Sequence, residues 1–420
     1  MQAIILAAGE SSRFWPLNKQ HKSQIRILGK PLIYWTIKGI SESGIKDIVV
    51  VTSPKYSLKK ELEKEELDTK ININYIIQEK PLGTGNAIFQ AKDLIKEPFF
   101  VFWPYKVTAK EIIKKILDKY TSEKSQAILA GVKTTTPWDY GILKYEEDRI
   151  IEIIENPLPG REPSDIKVLG TYFLHPDFFD YYQNIKKHHQ EDFIDALNLY
   201  IKNKKASFVL LEKEPPSLKY PWELLGILKI MSNSGEFKHF ISPKARIGKN
   251  VVINGNIYIG ENVTIGENTV IYGPCFIGKN SKIGANNVFR GPVNLENDVV
   301  TGAFTEIKNC LIQEETHFHS GYFGDSIIGK RCRFGAGFVT ANRRIDRANI
   351  KSKVKEKKID TGLTYFGTVV GDGSRFGIQS GTMPGIFVGS ESLIGPGTLV
   401  FENIEDKTTL FTEFKFRKRK

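Results

Sequence analysis

The sequence predicts a protein in two parts: an α/β domain with a mainly parallel, Rossmann-like sheet, followed by a left-handed parallel β-helix. Its 420 residues are too many for one compact hydrophobic core. Up to about residue 230, short apolar runs rich in β-branched residues alternate with longer helical runs. From Ile247 onward, an apolar residue recurs at every sixth position. This change of period separates the two parts.

The first part has the pattern of βαβ units. Strands are predicted at residues 3–6, 47–52, 72–77, 99–103 and 127–132, and helices include residues 32–43 and 86–94. Such alternation favours parallel strands whose connecting helices cover both faces of the sheet. Ligands of such sheets bind outside the carboxyl ends of the strands, where the loop at residues 7–16 must lie.

The second part follows a six-residue repeat. The eleven positions counted in sixes, of which only the tenth is polar, are Ile247, Ile253, Ile259, Ile265, Ile271, Ile277, Ile283, Phe289, Leu295, Thr301 and Ile307. In a β-helix each short strand points one aliphatic residue inward and turns a corner on Gly or Asn. The register slips after Ile307 and resumes at Ile328. A Lys- and Arg-rich insertion at residues 340–369 interrupts the repeat and is a natural site for function.

These patterns divide the chain into a domain at residues 1–230, a linker at 231–243 and a β-helix domain with a basic tail at 244–420. No segment approaches the 18 apolar residues that a membrane helix needs. The apolar start lacks a basic flank and is typical of a buried strand rather than a signal peptide. We therefore expect a cytoplasmic protein with no membrane partner.

Cysteine usage and charge exclude further classes. Cys275, Cys310 and Cys332 are widely spaced and odd in number, which favours small buried side chains over a disulfide framework or a zinc site. The net charge is +12, but the lysines are spread along amphipathic stretches and concentrate only at residues 415–420. A solvated surface is thus favoured over a nucleic-acid partner. The positive field would draw phosphorylated small molecules towards a cleft.

The loop after the first strand carries the first candidate site. Small residues from Ala7 to Gly9 let a backbone approach a nucleotide, and its amides can bind phosphate oxygens. Arg13 and Lys22 can neutralise charge on a reacting phosphorus. On spacing alone, a tight βα turn with surface cations explains the pattern equally well.

The motifs resemble those of the sugar-1-phosphate nucleotidyltransferases. The run Leu6 to Leu17 is similar to that family's LAAGxGTRxxPL motif, and the run Gln78 to Ala87 is similar to its base-reading Gln and Gly-Thr-Gly loop. The resemblance implies a nucleotide site made of Leu6, Ala7, Ala8, Gly9, Arg13, Lys22, Gln78, Gly83, Thr84 and Gly85. Segments at Tyr140-Gly141 and Glu155-Asn156-Pro157 look like the sugar-side YG and EKP elements, which implies sugar contacts from Gly141 and Glu155.

The resemblance breaks where the family binds its metal. Tyr105 stands where the family has the Mg²⁺-binding aspartate, and Ser217 aligns with its second carboxylate. Mg²⁺ needs hard oxygen ligands from one or two carboxylates, so Mg²⁺ binding is doubtful and no metal ligand is assigned. Ser11, Asn156 and Val168 also depart from family residues. The hypothesis is a domain that keeps the fold but transfers nucleotides poorly or not at all.

The β-helix carries a second motif. The residues His319, Tyr322, Gly324-Asp325, Gly335-Ala336-Gly337 and Asn342 follow the pattern HxxYxGD…GAG…N. This resembles the acetyltransferase half of the bifunctional N-acetylglucosamine-1-phosphate uridylyltransferase/glucosamine-1-phosphate acetyltransferases, in particular archaeal forms. The order of both halves matches, so the resemblance spans nearly the whole chain.

The implied reaction is acetyl transfer from acetyl-CoA to an amino sugar 1-phosphate. A protonated amine cannot attack a thioester, so the reaction needs a base with a pKa near neutrality, and His319 is assigned that role. By resemblance, Tyr322 and Asn342 orient the sugar and its amine. Arg290 and Lys308 hold its phosphate, and Lys351 meets a phosphate of the sugar or of coenzyme A. Ala336 and Gly337 leave room for the pantetheine arm.

Alternatives stay open at this stage. A lone His in a solenoid loop is more often structural than catalytic, His317 stands beside it, and Arg333 replaces a common asparagine, so the acceptor could differ from glucosamine 1-phosphate. Family sites lie between neighbouring chains, which implies a homotrimer. A second class is a non-catalytic regulatory or binding subunit of a sugar-nucleotide pyrophosphorylase. A third is an active nucleotidyltransferase that uses other carboxylates, such as Asp139 or Glu155.

Overall fold

The computed structural model describes residues 1–419; Lys420, the last residue of the expected β-helix domain and basic tail, lies outside the described residues. The chain forms two compact units. The N-terminal unit comprises Met1–Glu10 and Pro31–Ser217, and the β-helix unit comprises Ser11–Lys30 and the chain from Leu218 onward. These units depart from the expected division at residue 230, because the segment Ser11–Lys30 and the residues just after Ser217 pack with the β-helix. The division into independently folding domains stays a prediction.

The N-terminal unit is built on a nine-stranded sheet. In spatial order the strands are Asn72–Ile77, Asp47–Thr52, Gln2–Ala7, Phe99–Phe102, Ile166–Leu174, Ala127–Lys133, Ala206–Leu210, Arg149–Glu155 and Gly141–Glu146. The first four are parallel, as predicted. The strand Ile166–Leu174 is antiparallel to both neighbours, so the far half of the sheet is mixed. Alternation of runs predicted the parallel half but not the antiparallel one.

Helices cover both faces of this sheet. They are Leu32–Glu42, Leu58–Leu62, Thr84–Phe89, Ala109–Glu123, Phe178–Gln183 and Asp192–Asn203, with a 3₁₀ turn at Pro137–Asp139. The strand Asp47–Thr52 has five consecutive buried residues because apolar side chains pack on both of its faces. The predicted helix at residues 86–94 is shorter, since the chain turns after Phe89.

The β-helix unit contains two segments that precede its coils. The segment Ser11–Lys30 has 3₁₀ turns at Ser12–Phe14 and Lys22–Gln24 and a short strand at Arg26–Ile27, and Lys30–Pro31 is also extended. The second segment contains the helix Glu223–Ser232. The strands of the β-helix are Phe240–Ile241, Arg246–Ile247, Val252–Asn254, Ile257–Ile259, Thr264–Ile265, Val270–Tyr272, Cys275–Ile277, Lys282–Ile283, Val288–Leu295, Val300–Thr301, Thr305–Ile312, His317–Phe318, Gly321–Gly324, Ile327–Ile328, Arg333–Phe334, Phe338–Thr340, Thr368–Val370, Arg375–Phe376, Gly381–Thr382, Ile386–Val388, Leu393–Ile394, Leu399–Val400 and Thr409–Leu410. The insertion contains a hairpin of Lys351–Val354 and Lys357–Asp360.

The coils stack with the period that the sequence predicted. Residues 18 apart are parallel partners, as in Ile247 with Ile265 and Ile259 with Ile277, so one coil holds three six-residue turns. From Ile259 to Ile307, the predicted inward positions are all buried, including Thr301. Ile247 is exposed because it belongs to the first coil. These pairings confirm a parallel β-helix; its left hand stays a prediction.

The register slip after Ile307 shortens one coil. Thr305 pairs with Gly321 and Ile312 pairs with Ile328, both 16 residues apart. Phenylalanines fill the core of this region: the rings of Phe318 and Phe334 are stacked with centroids 5.2 Å apart. The shortened coil therefore keeps its inward apolar positions and carries the residues from His317 to Gly324 on a well-packed core.

Three buried polar side chains of the β-helix hold part of the segment Ser11–Lys30. The Leu28 N–H donates to Asn294 Oδ1 at 2.7 Å, and the Gly29 N–H donates to Glu296 Oε1 at 3.1 Å. Gln313 accepts from the Arg26 N–H at 3.2 Å and donates to its carbonyl at 2.9 Å. Gly29 is required because its φ is +79° and a Cβ there would lie 2.9 Å from the Phe276 ring.

Other sequence expectations have direct outcomes. All three cysteines are buried and free, as predicted. None of the described helices has the length and apolar character needed to cross a membrane.

Glu296 gives the β-helix unit a predicted pH dependence. Burial raises the pKa of this carboxyl from 4.5 to about 7, although Asn294 and Arg26 oppose the shift. The folded protein thus holds the proton more tightly than the unfolded chain, so the stabilising contribution is present below pH 4.5 and is lost as the pH rises to 7. Glu296→Gln should remove up to about 3 kcal/mol of this pH dependence. Thermal midpoints between pH 4.5 and 8 measure it, with the exposed Glu267→Gln as control. An unchanged slope in Glu296→Gln would contradict the assignment.

Candidate functional site

A cavity of about 600 Å³ opens in the N-terminal unit at the carboxyl ends of its central strands. It is lined by Leu6, Ala8, Gly9, Glu10, Gln78, Pro81, Gly83, Thr84, Ala87, Trp103, Gln190 and Glu191. Six of these residues were predicted to bind a nucleotide. The cavity therefore brings together the loop after the first strand and the Gly-Thr-Gly segment.

Two predicted nucleotide-site residues, Ala7 and Gly85, do not line the cavity but are buried, and Gln78 is held by a hydrogen bond. Ala7 is fully buried in the sheet. Gly85 does not line the cavity; a Cβ there would lie 2.4 Å from Asp192 Oδ1, so only glycine allows this close packing. Gln78 donates from Nε2 to Asn86 Oδ1 at 2.8 Å, which ties the base-reading candidate to the Gly-Thr-Gly helix.

Arg13 and Lys22 lie in the β-helix unit rather than in the N-terminal unit. Arg13 is exposed. Lys22 donates from Nζ to the Leu218 carbonyl at 2.6 Å. Burial lowers the pKa of Lys22 to about 8, although Glu223 raises it. Lys22 is thus a partly buried cation with a backbone partner.

The predicted sugar residues are neighbours in the antiparallel part of the sheet. Gly141 pairs with Glu155, and a Cβ at Gly141 would lie 2.5 Å from Glu155 Oε1. Burial, and then the cavity residue Glu191, raise the pKa of Glu155. Glu155 is therefore close enough to the cavity wall for the charge of Glu191 to affect its pKa.

The residues at the expected metal positions do not fit Mg²⁺. Tyr105 and Ser217 supply no carboxylate, and Tyr105 is followed by Lys106, whose ammonium is buried and donates to the Leu169 carbonyl at 3.0 Å. Burial lowers the pKa of Lys106 to about 8. Within residues 1–419, no group of three His, Cys, Asp or Glu side chains is placed to hold a metal ion. A buried cation beside the expected ligand opposes a divalent cation there.

The second candidate site is built on the shortened coil of the β-helix. Phe318 and Phe323 point into the core, so the intervening turn presents His319 outward and Tyr322 on the adjoining face. His319 is exposed, its N–H donates to the Phe334 carbonyl at 2.9 Å, and its imidazole makes no hydrogen bond with any residue from 1 to 419. Its ring nitrogens are therefore available to a substrate. His317 instead lies beside Arg333, and burial lowers its pKa.

Asp325 is the centre of a polar cluster beside this turn. Its side chain is 4% exposed and accepts from Lys308 Nζ at 2.9 Å, Asn309 Nδ2 at 2.8 Å and Asn342 Nδ2 at 2.5 Å. Asn342 also donates to Tyr322 Oη at 3.0 Å. Burial, and then Asp325, raise the pKa of Tyr322, which keeps its phenol protonated. The cluster fixes three of the predicted acceptor residues relative to one another.

Parallel stacking positions the predicted phosphate cations. Arg290, Lys308 and Gly324 are successive partners in one ladder. The two cations therefore lie on neighbouring coils, whose strands are about 4.8 Å apart. Arg290 forms an ion pair with Glu306, which is the ladder partner of Tyr322. Both predicted cations thus already have a carboxylate partner.

The predicted acetyl-CoA residues lie on the next coil from His319. The Gly337 N–H donates to Ser320 Oγ at 3.1 Å, and the Ala336 carbonyl accepts from the Gln379 N–H at 2.8 Å. Gly337 has φ +72°, and a Cβ there would lie 2.4 Å from Gln379 Nε2. Arg333 is turned away, since Nη1 donates to the Glu315 carbonyl at 2.5 Å.

The insertion leaves the β-helix after Thr340 and returns at Thr368. Its two ends are joined, because the Phe366 N–H donates to the Asn342 carbonyl at 2.9 Å. The ring of Tyr365 contacts both Arg343 and Lys308, and Lys308 Nζ lies 4.4 Å from its centre. Lys351 is exposed on a hairpin that is anchored where Ser352 Oγ donates to the Gly385 carbonyl at 2.9 Å.

Comparisons with known proteins match both parts of the chain. The profile of the Nucleotidyl transferase family matches residues 2–226, and two hexapeptide-repeat profiles, "Bacterial transferase hexapeptide (six repeats)" and "Hexapeptide repeat of succinyl-transferase", match residues 239–273 and 367–402. The chain is 36% identical over 418 residues to a "Bifunctional protein GlmU" from Methanococcus maripaludis, covering 98% of this chain and 97% of the relative. It is 32% identical over 412 residues to a "Bifunctional sugar-1-phosphate nucleotidylyltransferase/acetyltransferase" from Sulfurisphaera tokodaii, covering 96% and 98%.

The chain belongs to the bifunctional sugar-1-phosphate nucleotidylyltransferase/acetyltransferase (GlmU) family. It is accordingly a sugar-nucleotide biosynthesis protein with a nucleotidyltransferase domain and a hexapeptide acetyltransferase domain. The fold of the N-terminal part also resembles a UTP-bound UGPase from Acinetobacter baumannii, with a TM-score of 0.50, 19% identity and coverage of 56% of this chain and 94% of that one.

The sequence motifs did not assign roles to three residues of the second candidate site. Asp325 was visible as part of the Gly-Asp pair, but only the structure shows that it binds three side chains. Arg343 and Tyr365 lie at opposite ends of the insertion, 22 positions apart, and no local pattern joins them. The basic composition of the insertion was the only signal.

The cluster predicts a stability difference between buried and exposed carboxylates. Asp325→Ala leaves the partly buried Lys308 without its partner and should lower the free energy of unfolding by about 3–5 kcal/mol. The control is Glu261→Ala, whose ion pair with Lys244 is more than half exposed, and about 0–1 kcal/mol is expected there. Denaturant unfolding followed by circular dichroism measures both. Equal losses in the two variants would contradict the central position of Asp325.

Proposed function

We propose that the β-helix domain transfers an acetyl group from acetyl-CoA to the amine of an amino sugar 1-phosphate similar to glucosamine 1-phosphate. The observation that carries the proposal is the exposed imidazole of His319, which makes no hydrogen bond within residues 1–419, three positions before Tyr322 of the fixed Tyr322–Asn342–Asp325 cluster. Family membership supports it, because relatives named as acetyltransferases match nearly the whole chain. We assign no step of this reaction to a metal.

His319 acts as the base. Its imidazole accepts a proton from the substrate amine, whose nitrogen then attacks the thioester carbonyl carbon of acetyl-CoA. A C–N bond forms and the C–S bond breaks. The proton that the nitrogen loses as the amide forms goes to the departing sulfur, which gives the free thiol of coenzyme A, and the imidazolium of His319 releases its own proton to solvent. Tyr322 and Asn342 orient the amino sugar, and Ala336 and Gly337 let the pantetheine arm lie along the coil. Arg290, Lys308 and Lys351 supply positive charge for the phosphates.

The N-terminal domain is proposed to bind nucleotide or sugar phosphate but to be impaired in nucleotidyl transfer. Its cavity supports binding, whereas Tyr105, Ser217 and the buried Lys106 do not supply a Mg²⁺ site. A carboxylate site elsewhere in the domain would favour the alternative of an active nucleotidyltransferase that uses other metal ligands. Asp139 is exposed on the turn Pro137–Asp139, and Glu155 stands near Glu191, so these are the carboxylates that alternative would use.

We further infer a cytoplasmic homotrimer. The ladder that presents Tyr322 outward also presents Val252, Val339 and Leu399, each more than 40% exposed. Such an apolar column beside the site suits packing against a second copy of the chain. The regulatory-subunit alternative is disfavoured by the retained His319 and Tyr322 and would be supported by an assembly without acetyl transfer.

His319→Ala tests the reaction. Removing the base should lower kcat for acetyl transfer to glucosamine 1-phosphate by about 10²–10⁴-fold. Release of free thiol from acetyl-CoA, together with mass spectrometry of the sugar product, measures it.

The matched control is His317→Ala, which removes the neighbouring imidazole and should keep most activity. Light scattering checks that both variants keep the parental assembly. If His319→Ala turns over as fast as the parent protein, His319 is not the base.

A further inference from the structure

The insertion contains a cation, Arg343, that has no role in the proposed reaction. Arg343 follows Asn342, and its guanidinium carbon lies 4.5 Å from the centre of the Tyr365 ring. Arg343 Nη1 also donates to Tyr365 Oη at 2.5 Å. Cation–π stacking and this hydrogen bond hold the guanidinium in one orientation although Arg343 is exposed.

The same aromatic ring contacts a second cation. Lys308 Nζ lies 4.4 Å from the Tyr365 ring centre, so the ring is contacted by both positive groups. The hydrogen bond between the Phe366 N–H and the Asn342 carbonyl, at 2.9 Å, joins the two ends of the insertion and fixes this arrangement. The Gly367 N–H donates to the Asp325 carbonyl at 2.9 Å and ties the same ends to the polar cluster.

The charges at the site leave one cation unbalanced. Lys308 is paired with Asp325, and Arg290 is paired with Glu306. Arg343 has no carboxylate partner among residues 1–419, and its side chain contacts Tyr365. Arg343, Lys308 and Arg290 together therefore carry an excess of positive charge, and it lies on Arg343. Within residues 1–419, the remaining N–H donors of its guanidinium make no hydrogen bond. A guanidinium of this kind binds two oxygens of one phosphate.

We propose that Arg343 and Tyr365 form a phosphate-binding clamp for a substrate of the β-helix site, working beside Lys308. The proposal rests on the proposed acetyl transfer and adds a specificity-determining residue to it. Both substrates carry phosphate: the acceptor at its 1-position and acetyl-CoA in its nucleotide. Arg343 binds and positions this phosphate and takes no part in the proton transfer to His319.

Arg343→Ala tests the clamp by a split between KM and kcat. The KM of one phosphorylated substrate should rise about 10- to 100-fold, because charge-assisted hydrogen bonds are lost, while kcat changes less than threefold. Arg344→Ala is the matched control: it removes the same charge one position along, from a side chain paired with Asp346, and should change neither KM more than twofold. Tyr365→Phe keeps the stacking ring, so its KM for that substrate should rise less than the KM of Tyr365→Ala.

The two phosphate sources are separated by the substrates used. If the clamp takes the acceptor phosphate, the penalty of Arg343→Ala should vanish with unphosphorylated glucosamine as acceptor. If it takes a coenzyme A phosphate, the KM rise should be confined to acetyl-CoA. Either result supports the clamp, whereas unchanged KM values for both substrates, or an equal effect of Arg344→Ala, would overturn it.

Calorimetric titration keeps this test independent of turnover. Glucosamine 1-phosphate and coenzyme A are titrated separately into the full chain and into Arg343→Ala. Weaker binding of one compound without any acetyl transfer by the parent protein leaves the clamp standing and defeats the proposed reaction. Normal turnover and unchanged binding in Arg343→Ala defeat the clamp and leave the reaction standing.

Discussion

The six-residue spacing of inward apolar side chains is the constraint on which the β-helix unit depends. Because each coil must bury three such residues, the outward positions between them are fixed as well. Arg290 and Lys308 are neighbours for this reason alone: they occupy equivalent positions 18 residues apart. The shortened coil then places His319 and Tyr322 beside the same ladder while Phe318 and Phe323 keep the core filled.

Much of this organisation could be predicted from the sequence because it follows from short-range periodicity. The inward column from Ile259 to Ile307 and the buried strand Asp47–Thr52 are both written in local patterns of apolar residues. The cavity lining at Leu6, Ala8 and Gly9 followed from the motif after the first strand.

Long-range contacts could not be predicted in the same way. The docking of Gly29 on Glu296 joins residues 267 positions apart, and the insertion brings Arg343 to Tyr365 through a hydrogen bond between its ends. The same limit applies to Lys22, whose partner is the Leu218 carbonyl. Such contacts depend on where the backbone returns, which composition and spacing do not encode. Asp325 illustrates the point: its Gly-Asp motif was visible, but its three hydrogen bonds required the folded coils.

The two halves of the protein use charge differently. In the β-helix, the buried carboxylate of Asp325 accepts hydrogen bonds from three side chains, and Arg343 is an exposed cation without a carboxylate partner among residues 1–419. In the N-terminal unit, Tyr105 and the buried Lys106 stand where a metal site would need negative charge. We therefore propose that the β-helix carries the chemistry of this chain and that the cavity at residues 6–10 and 78–87 serves binding.

The most direct measurement compares both reactions on one preparation of the full chain. Acetyl-CoA is offered with glucosamine 1-phosphate in the presence of a chelator, and UTP, dTTP or GTP is offered with a sugar 1-phosphate and Mg²⁺. We predict an N-acetylated sugar phosphate in the first assay and little or no pyrophosphate in the second. Rapid Mg²⁺-dependent pyrophosphate release without any acetylated product would contradict it.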